Sequence, residues 1–159
     1  MTVSSAPTLA GFGWFITNIM GINAIYLPVD APVIGWSLAV ALDIVNPALR
    51  GIGNCVPGLP ATNIYTVAVY NLAGSTLVNL APDEEGRTYF AKLREKLGID
   101  EFTPGVVSST GDSSTSESLL NPDFMKGLTL ANLAQLKDPW GRAYLQIAQR
   151  AGPTIWGLS

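Results

Sequence analysis

Apolar residues recur at helical spacing along most of the chain. In residues 8–20, Leu9, Phe12, Trp14, Phe15, Ile16, Ile19 and Met20 return every three to four positions, and Thr8 stands where an N-cap belongs. Residues 23–29 read as an extended connection. Asp30 is the expected N-cap of a second helix running to about residue 46. Pro32 suits its first turn, and Ile34, Leu38, Ala41, Leu42 and Val45 form its repeat. Asn46-Pro47 ends or kinks it, because proline disfavours the helical conformation of the residue before it. Glycines and prolines alternate around Cys55 over residues 51–60, which predicts a loop.

Residues 63–81 form the most apolar helix candidate, with Ile64, Ala68, Leu72, Ala73, Leu77, Leu80 and Ala81 on one wide side. Asn71, Ser75 and Asn79 fall four apart and draw a narrow polar stripe without charge. Two readings of this stripe stay open: a core helix turning its polar edge toward loops, or a stripe packed against a neighbouring subunit. The next helix is amphipathic. Asp83 is its expected N-cap, Glu84 and Glu85 its first turn, Lys92, Arg94 and Lys96 lie near its end, and Gly98 is its stop. That charge order complements a helix dipole, and Tyr89, Phe90, Leu93 and Leu97 supply a buried face.

The pattern then changes. Val106-Val107 has the makings of a short strand, but residues 108–118 are polar, serine-rich and glycine-containing. A long stretch without helical period is either a surface loop or an arm that orders against another subunit. Asn121-Pro122 and Asp138-Pro139 are two cap-plus-proline helix starts. The first opens a short turn to residue 126, and Thr129 caps a segment to residue 136. The last helix turns Ala143, Tyr144, Ile147 and Ala148 inward and Arg142, Gln146 and Arg150 outward, until Gly152-Pro153 stops it. The expected fold is mainly α: one helical domain over residues 1–159, a small helical bundle. A long Ser/Gly-rich loop or arm projects at about 103–120, and a C-terminal tail covers 152–159.

Composition sharpens this picture. Hydrophobic residues make up 48% of the chain and charged ones 13%, about half the ~25% of an average soluble domain, which excludes general disorder. Residues 1–82 hold Asp30, Asp43 and Arg50 as their only charged side chains, although the chain has 9 basic and 12 acidic residues. A free monomer covers itself with polar groups, so this half is expected to sit inside other chains or in lipid. The lipid alternative, a membrane-associated protein using the uncharged half, fits less well. No basic residue precedes Leu9 as a signal peptide requires, and glycines, asparagines and Pro28 interrupt the first apolar run. The net charge of −3 argues against a phosphate-neutralising surface.

Catalytic chemistry finds little footing. The chain has no histidine, which removes the usual imidazole base and the Ser-His-Asp and Cys-His arrangements. One cysteine, Cys55, closes no intrachain disulfide, and only Arg50 lies near it to lower its pKa, so it reads as a small buried hydrophobe. No phosphate-binding glycine loop, dinucleotide fingerprint or nucleophile elbow occurs. Asp83, Glu84 and Glu85 open a helix and serve its dipole. No enzyme, metal, cofactor or small-molecule substrate is expected.

One segment carries a resemblance. Leu136-Lys137-Asp138-Pro139-Trp140-Gly141-Arg142-Ala143-Tyr144 is similar to the leucine–x–x–Thr–x–Tyr–Gly–Arg–x–Tyr close of head-to-tail connector (adaptor or head-completion) proteins of tailed bacteriophages. Here Asp-Pro-Trp replaces Thr-x-Tyr, with one residue fewer after the leucine. Residues 105–114 resemble the glycine/serine loop upstream of it, residues 30–49 the family's early apolar helix, and residues 65–80 its tyrosine-and-alanine central helix. The resemblance implies a structural virion protein: many copies, usually a dodecamer, in a homo-oligomeric neck ring at the head-to-tail interface, assembled in the host cytoplasm. Its implied partners are the portal protein and the next tail or collar protein, with DNA only passing through the channel. Adaptor, collar and stopper layers stay open. On this reading Asp138, Trp140, Gly141, Arg142 and Tyr144 form the motif. Val106, Val107, Ser109, Asp112 and Ser114 lie on an inter-subunit loop. Pro153, Ile155, Trp156 and Leu158 on the tail contact the portal, Trp156 being the kind of aromatic anchor interfaces favour. The acidic balance would keep DNA from sticking in the channel.

Overall fold

The computed structural model describes residues 6–51, 53–54, 62–100, 106–107, 119–120 and 135–150. The chain is mainly α. Among the described residues it has five α-helices: α1 (Leu9–Asn18), α2 (Pro32–Ile44), α3 (Ile64–Leu80), α4 (Tyr89–Leu97) and α5 (Pro139–Arg150). A 3-10 turn, Pro47–Gly51, follows α2. Gly53–Asn54 pairs antiparallel with Thr62–Asn63, and Val106–Val107 with Leu119–Leu120. At two residues each, these pairings are not a sheet.

The core is built around α3. It is the longest helix and carries no charged residue, so no face of it demands water, and most of its side chains are buried. α2 and α5 pack most extensively against it, while α1, α4 and the 3-10 turn make smaller contacts. Phe12 and Phe15 of α1 stand around Tyr70 of α3, with ring centroids 5.8 Å apart in both pairs. The Tyr70 hydroxyl accepts from the Thr8 N–H at 3.0 Å and donates to the Thr8 carbonyl at 3.3 Å, tying the start of α1 to the middle of α3. This closeness needs a glycine: a Cβ on Gly11 would stand 2.2 Å from that hydroxyl.

The helix ends follow local chemistry, with two corrections to the sequence reading. Thr8 caps α1 as expected, its Oγ1 accepting from the Gly11 N–H at 3.0 Å. Asp30 does not cap α2. Pro32 occupies the first helical position, so the cap place falls to Ala31, whose side chain has nothing to offer. The helix ends at Ile44, just before Asn46-Pro47, and Asn46 Oδ1 accepts from the Ala48 N–H at 2.9 Å to open the 3-10 turn.

The second correction concerns α4. It begins at Tyr89, so Glu84 and Glu85 lie in the turn before it, and the formal cap Thr88 makes no side-chain bond. Asp83 still performs the capping from a distance. Its two carboxylate oxygens accept from the Phe90 N–H at 2.7 Å and the Ala91 N–H at 2.9 Å. At the other end Gly98 is left-handed (φ 64), Gly98 N–H donates to the Glu95 carbonyl and Ile99 N–H to the Arg94 carbonyl, both at 3.0 Å. Ile99 is buried after this Schellman turn. Arg94 does more than complement its own helix: Nη1 donates to the Val78 and Ala81 carbonyls at the end of α3. The expected short elements over 121–134, most of the loop over 51–60, and Cys55 lie outside the described residues.

Candidate functional site

The segment that carries the resemblance folds inward. Asp138 is fully buried at the start of α5. Its Oδ1 accepts from the Gly141 N–H at 2.8 Å, the ordinary bond of an N-cap. Its Oδ2 accepts from Ser75 Oγ at 2.6 Å and from Asn79 Nδ2 at 2.9 Å on α3. The uncharged stripe on α3 therefore has a partner within the same chain. Of the two sequence readings, the core helix with its polar edge toward a loop describes Ser75 and Asn79, since Asp138 lies in the connection just before α5. Asn71, the third member, turns back to the Val67 carbonyl at 2.8 Å. Three donors and the positive end of α5 offset the desolvation of this carboxylate.

Gly141 is buried against the turn before the helix, and a Cβ there would meet the Gln135 carbonyl oxygen at 2.0 Å. Trp140 and Tyr144 are half-buried and pack against the core. Burial raises the Tyr144 phenol above its ordinary pKa. Arg142 is exposed and donates to the Leu136 carbonyl at 3.0 Å. Leu145 and Ala148 form the most buried part of the helix, with Ile147 partly covered. Of the five motif residues, only Arg142 faces solvent. Their shared effect is to fix where α5 starts and how closely it sits on α3.

The other predicted contact residues are placed unevenly. Val106 and Val107 take part in the short pairing with Leu119 and Leu120. Ser109, Asp112 and Ser114, and the tail residues Pro153, Ile155, Trp156 and Leu158, lie outside the described residues.

A second feature lies on the outside. Among the described residues, ten large apolar side chains are substantially exposed: Leu9, Trp14, Ile19, Ile25, Tyr26, Val29, Trp36, Leu42, Ile44 and Leu80. All ten fall within the nearly uncharged residues 1–82. Val29 is 71% exposed, Ile25 65% and Trp36 51%, values ordinary for a surface lysine and costly for these side chains. Helical recurrence found several of these positions but did not say that they point away from the core. The missed signal was in α2, whose apolar residues occupy every side rather than one stripe.

Glu84 pairs with Arg87 at 3.0 Å on the surface, and Arg87 also donates to the Ile25 carbonyl. Tyr26 stacks on Tyr89 with centroids 4.2 Å apart and planes 6° from parallel. Burial and then the neighbouring Tyr26 hold the Tyr89 phenol above its usual value. No cluster of three or more metal-ligating residues occurs among the described residues, and none of their helices is long and apolar enough to cross a membrane.

No protein-family model, curated protein or solved structure matches this chain.

Proposed function

We propose that this chain is a structural, non-catalytic virion protein: one subunit of a homo-oligomeric ring in the neck of a tailed bacteriophage, joining the capsid portal to the tail. The observation that carries the reading is the confinement of every strongly exposed large apolar side chain, among the described residues, to the half of the chain that nearly lacks charge. Surfaces of this composition are stable in water only when covered, and permanent subunit contacts cover them. A heterologous side-to-side contact that closes on itself gives a ring.

The likeness of residues 136–144 to the close of the connector family supports the placement in the neck, with twelve copies as that family's usual number. On this reading the small helical bundle forms the ring wall. The arm at 103–120 lies along a neighbour, and the tail at 152–159 reaches the portal through Ile155, Trp156 and Leu158. No cofactor takes part, and DNA passes through the channel without being bound. Assembly takes place in the host cytoplasm.

The test is the mass of the purified chain in solution, alone and mixed with portal protein. A multimer that joins portal supports the reading. A chain that stays monomeric in both, or that needs detergent to stay in solution as a monomer, overturns it. Deletion of residues 154–159 is expected to abolish portal attachment with helix content unchanged; normal attachment refutes the role given to the tail.

A further inference from the structure

α2 and α5 pack against the same central helix but treat their outer sides differently. α5 is conventionally amphipathic. Leu145 and Ala148 face the core, and Arg142, Gln146 and Gln149 face out. α2 buries Ile34, Ser37, Leu38 and Ala41, and its exposed side is Pro32, Gly35, Trp36, Ala39 and Leu42, with Asp43 the helix's only charge. An apolar stripe on both sides belongs to a helix covered on both sides, and among the described residues only one side of α2 is covered.

We infer that the outer stripe of α2, centred on Trp36 and Leu42, is the surface a second copy of this chain covers, which rests on the assembly reading above and names the contact within it. The size of the bare surface favours this occupant. Side chains of this kind about half exposed leave on the order of 100 Å² each, so the ten together leave roughly 1,000 Å². Interfaces are about 60% apolar, so this matches one head-to-tail junction of ~1,600 Å² in total, shared between two faces of the protomer. Trp14, Ile19, Ile25 and Val29, on α1 and the connection after it, supply apolar surface of the kind the stripe would meet on the next copy. Charge points the same way. Asp30 and Asp43 are the only charged residues on α2 and in the connections adjoining it, 19–31 and 45–46, which suits neither an anionic membrane nor a polyanion.

Trp36 and Leu42 lie outside the buried core cluster, so the double variant Trp36→Glu/Leu42→Glu tests the contact, with helix content as the check on the fold. Sedimentation across concentration is expected to show self-association at least about tenfold weaker than wild type, with the far-ultraviolet circular dichroism of the two matching. A control, Gln146→Glu on the outer side of α5, is expected to assemble as wild type. Unchanged assembly of the double variant overturns the inference and leaves the assembly reading standing. A wild-type chain that never self-associates, with or without portal, overturns both. Flotation of the wild type with phosphatidylcholine vesicles, lost in the double variant, assigns the stripe to a lipid surface and also overturns the inference. Equal loss of assembly in the control and the double variant refutes the assignment to α2.

Discussion

Asp138 offers the sharpest test of how α5 is held. Replacing it with alanine removes the acceptor for the Gly141 N–H at 2.8 Å, for Ser75 Oγ at 2.6 Å and for Asn79 Nδ2 at 2.9 Å. The lost N-cap costs about 1 kcal/mol. Ser75 is buried and loses its charge-assisted bond, at about 1.5–3 kcal/mol. Asn79 keeps its bond to the Ser75 carbonyl at 2.8 Å and loses less. Together the expected cost is about 3–5 kcal/mol, a large part of the stability of a domain this size. The cluster acts as a unit, so in a Ser75→Ala background the same substitution costs at least about 1 kcal/mol less. Urea unfolding followed by circular dichroism, on the four chains of the cycle, reads both quantities. A cost below about 1 kcal/mol, or strict additivity with Ser75→Ala, would refute the claim that this carboxylate ties α5 to α3.

Four further variants test the same packing. Gly141→Ala is expected to lower stability by about 2–3 kcal/mol or more, because its Cβ meets backbone rather than a movable side chain. Gly13→Ala in α1, where a Cβ meets nothing within 4 Å, is expected to raise it by about 0.5–1 kcal/mol; parallel thermal melts separate the two. Ser37 Oγ is fully buried on the inner side of α2 without a hydrogen-bond partner, so Ser37→Ala is expected to stabilise by about 1 kcal/mol in urea titration. Tyr144 and Tyr89 both have phenols raised above 10.0 in the fold. The fold favours their protonated forms, so this contribution is complete below the unfolded value and is lost as pH climbs through the raised one. Melting temperatures compared at about pH 9 and about pH 11 should fall less for Tyr144→Phe than for wild type.

Much of the architecture was legible because it is local. Thr8, Gly98 and the Asn46-Pro47 break act within a few residues of themselves, and each shapes the chain as its chemistry dictates. Asp30 misled because Pro32 fixes the first helical position and leaves the cap place one residue after the aspartate. Asp83 misled in the opposite way: its carboxylate caps α4 while the backbone between forms a turn around Gly86 (φ 77). The stripe of Asn71, Ser75 and Asn79 was visible, but its partner was not. Asp138 lies 63 residues from Ser75, and periodicity carries no information across such a separation. The motif around Gly141 was visible as letters, while its tight seat against the Gln135 backbone depends on how the turn before α5 folds back.

The apolar outer surface was half legible. The scarcity of charge before residue 83 raised the expectation that something other than water covers that half. Recurrence at three and four marks residues as helical and apolar without marking which way each points. Only the packed helices separate Ile34 and Leu38, which are buried, from Trp36 and Leu42, which are not.

Hydroxyl-radical footprinting of the chain, as dilute protomer and as assembled particle, tests most directly whether sister copies cover that surface. Trp14, Ile25, Val29 and Trp36 are expected to label strongly in the protomer, and Trp36 with part of that set to become protected on assembly. Tyr144, already half-covered within the chain, should change little. Equal labelling of Trp36 and its apolar neighbours in both states would contradict coverage by sister copies.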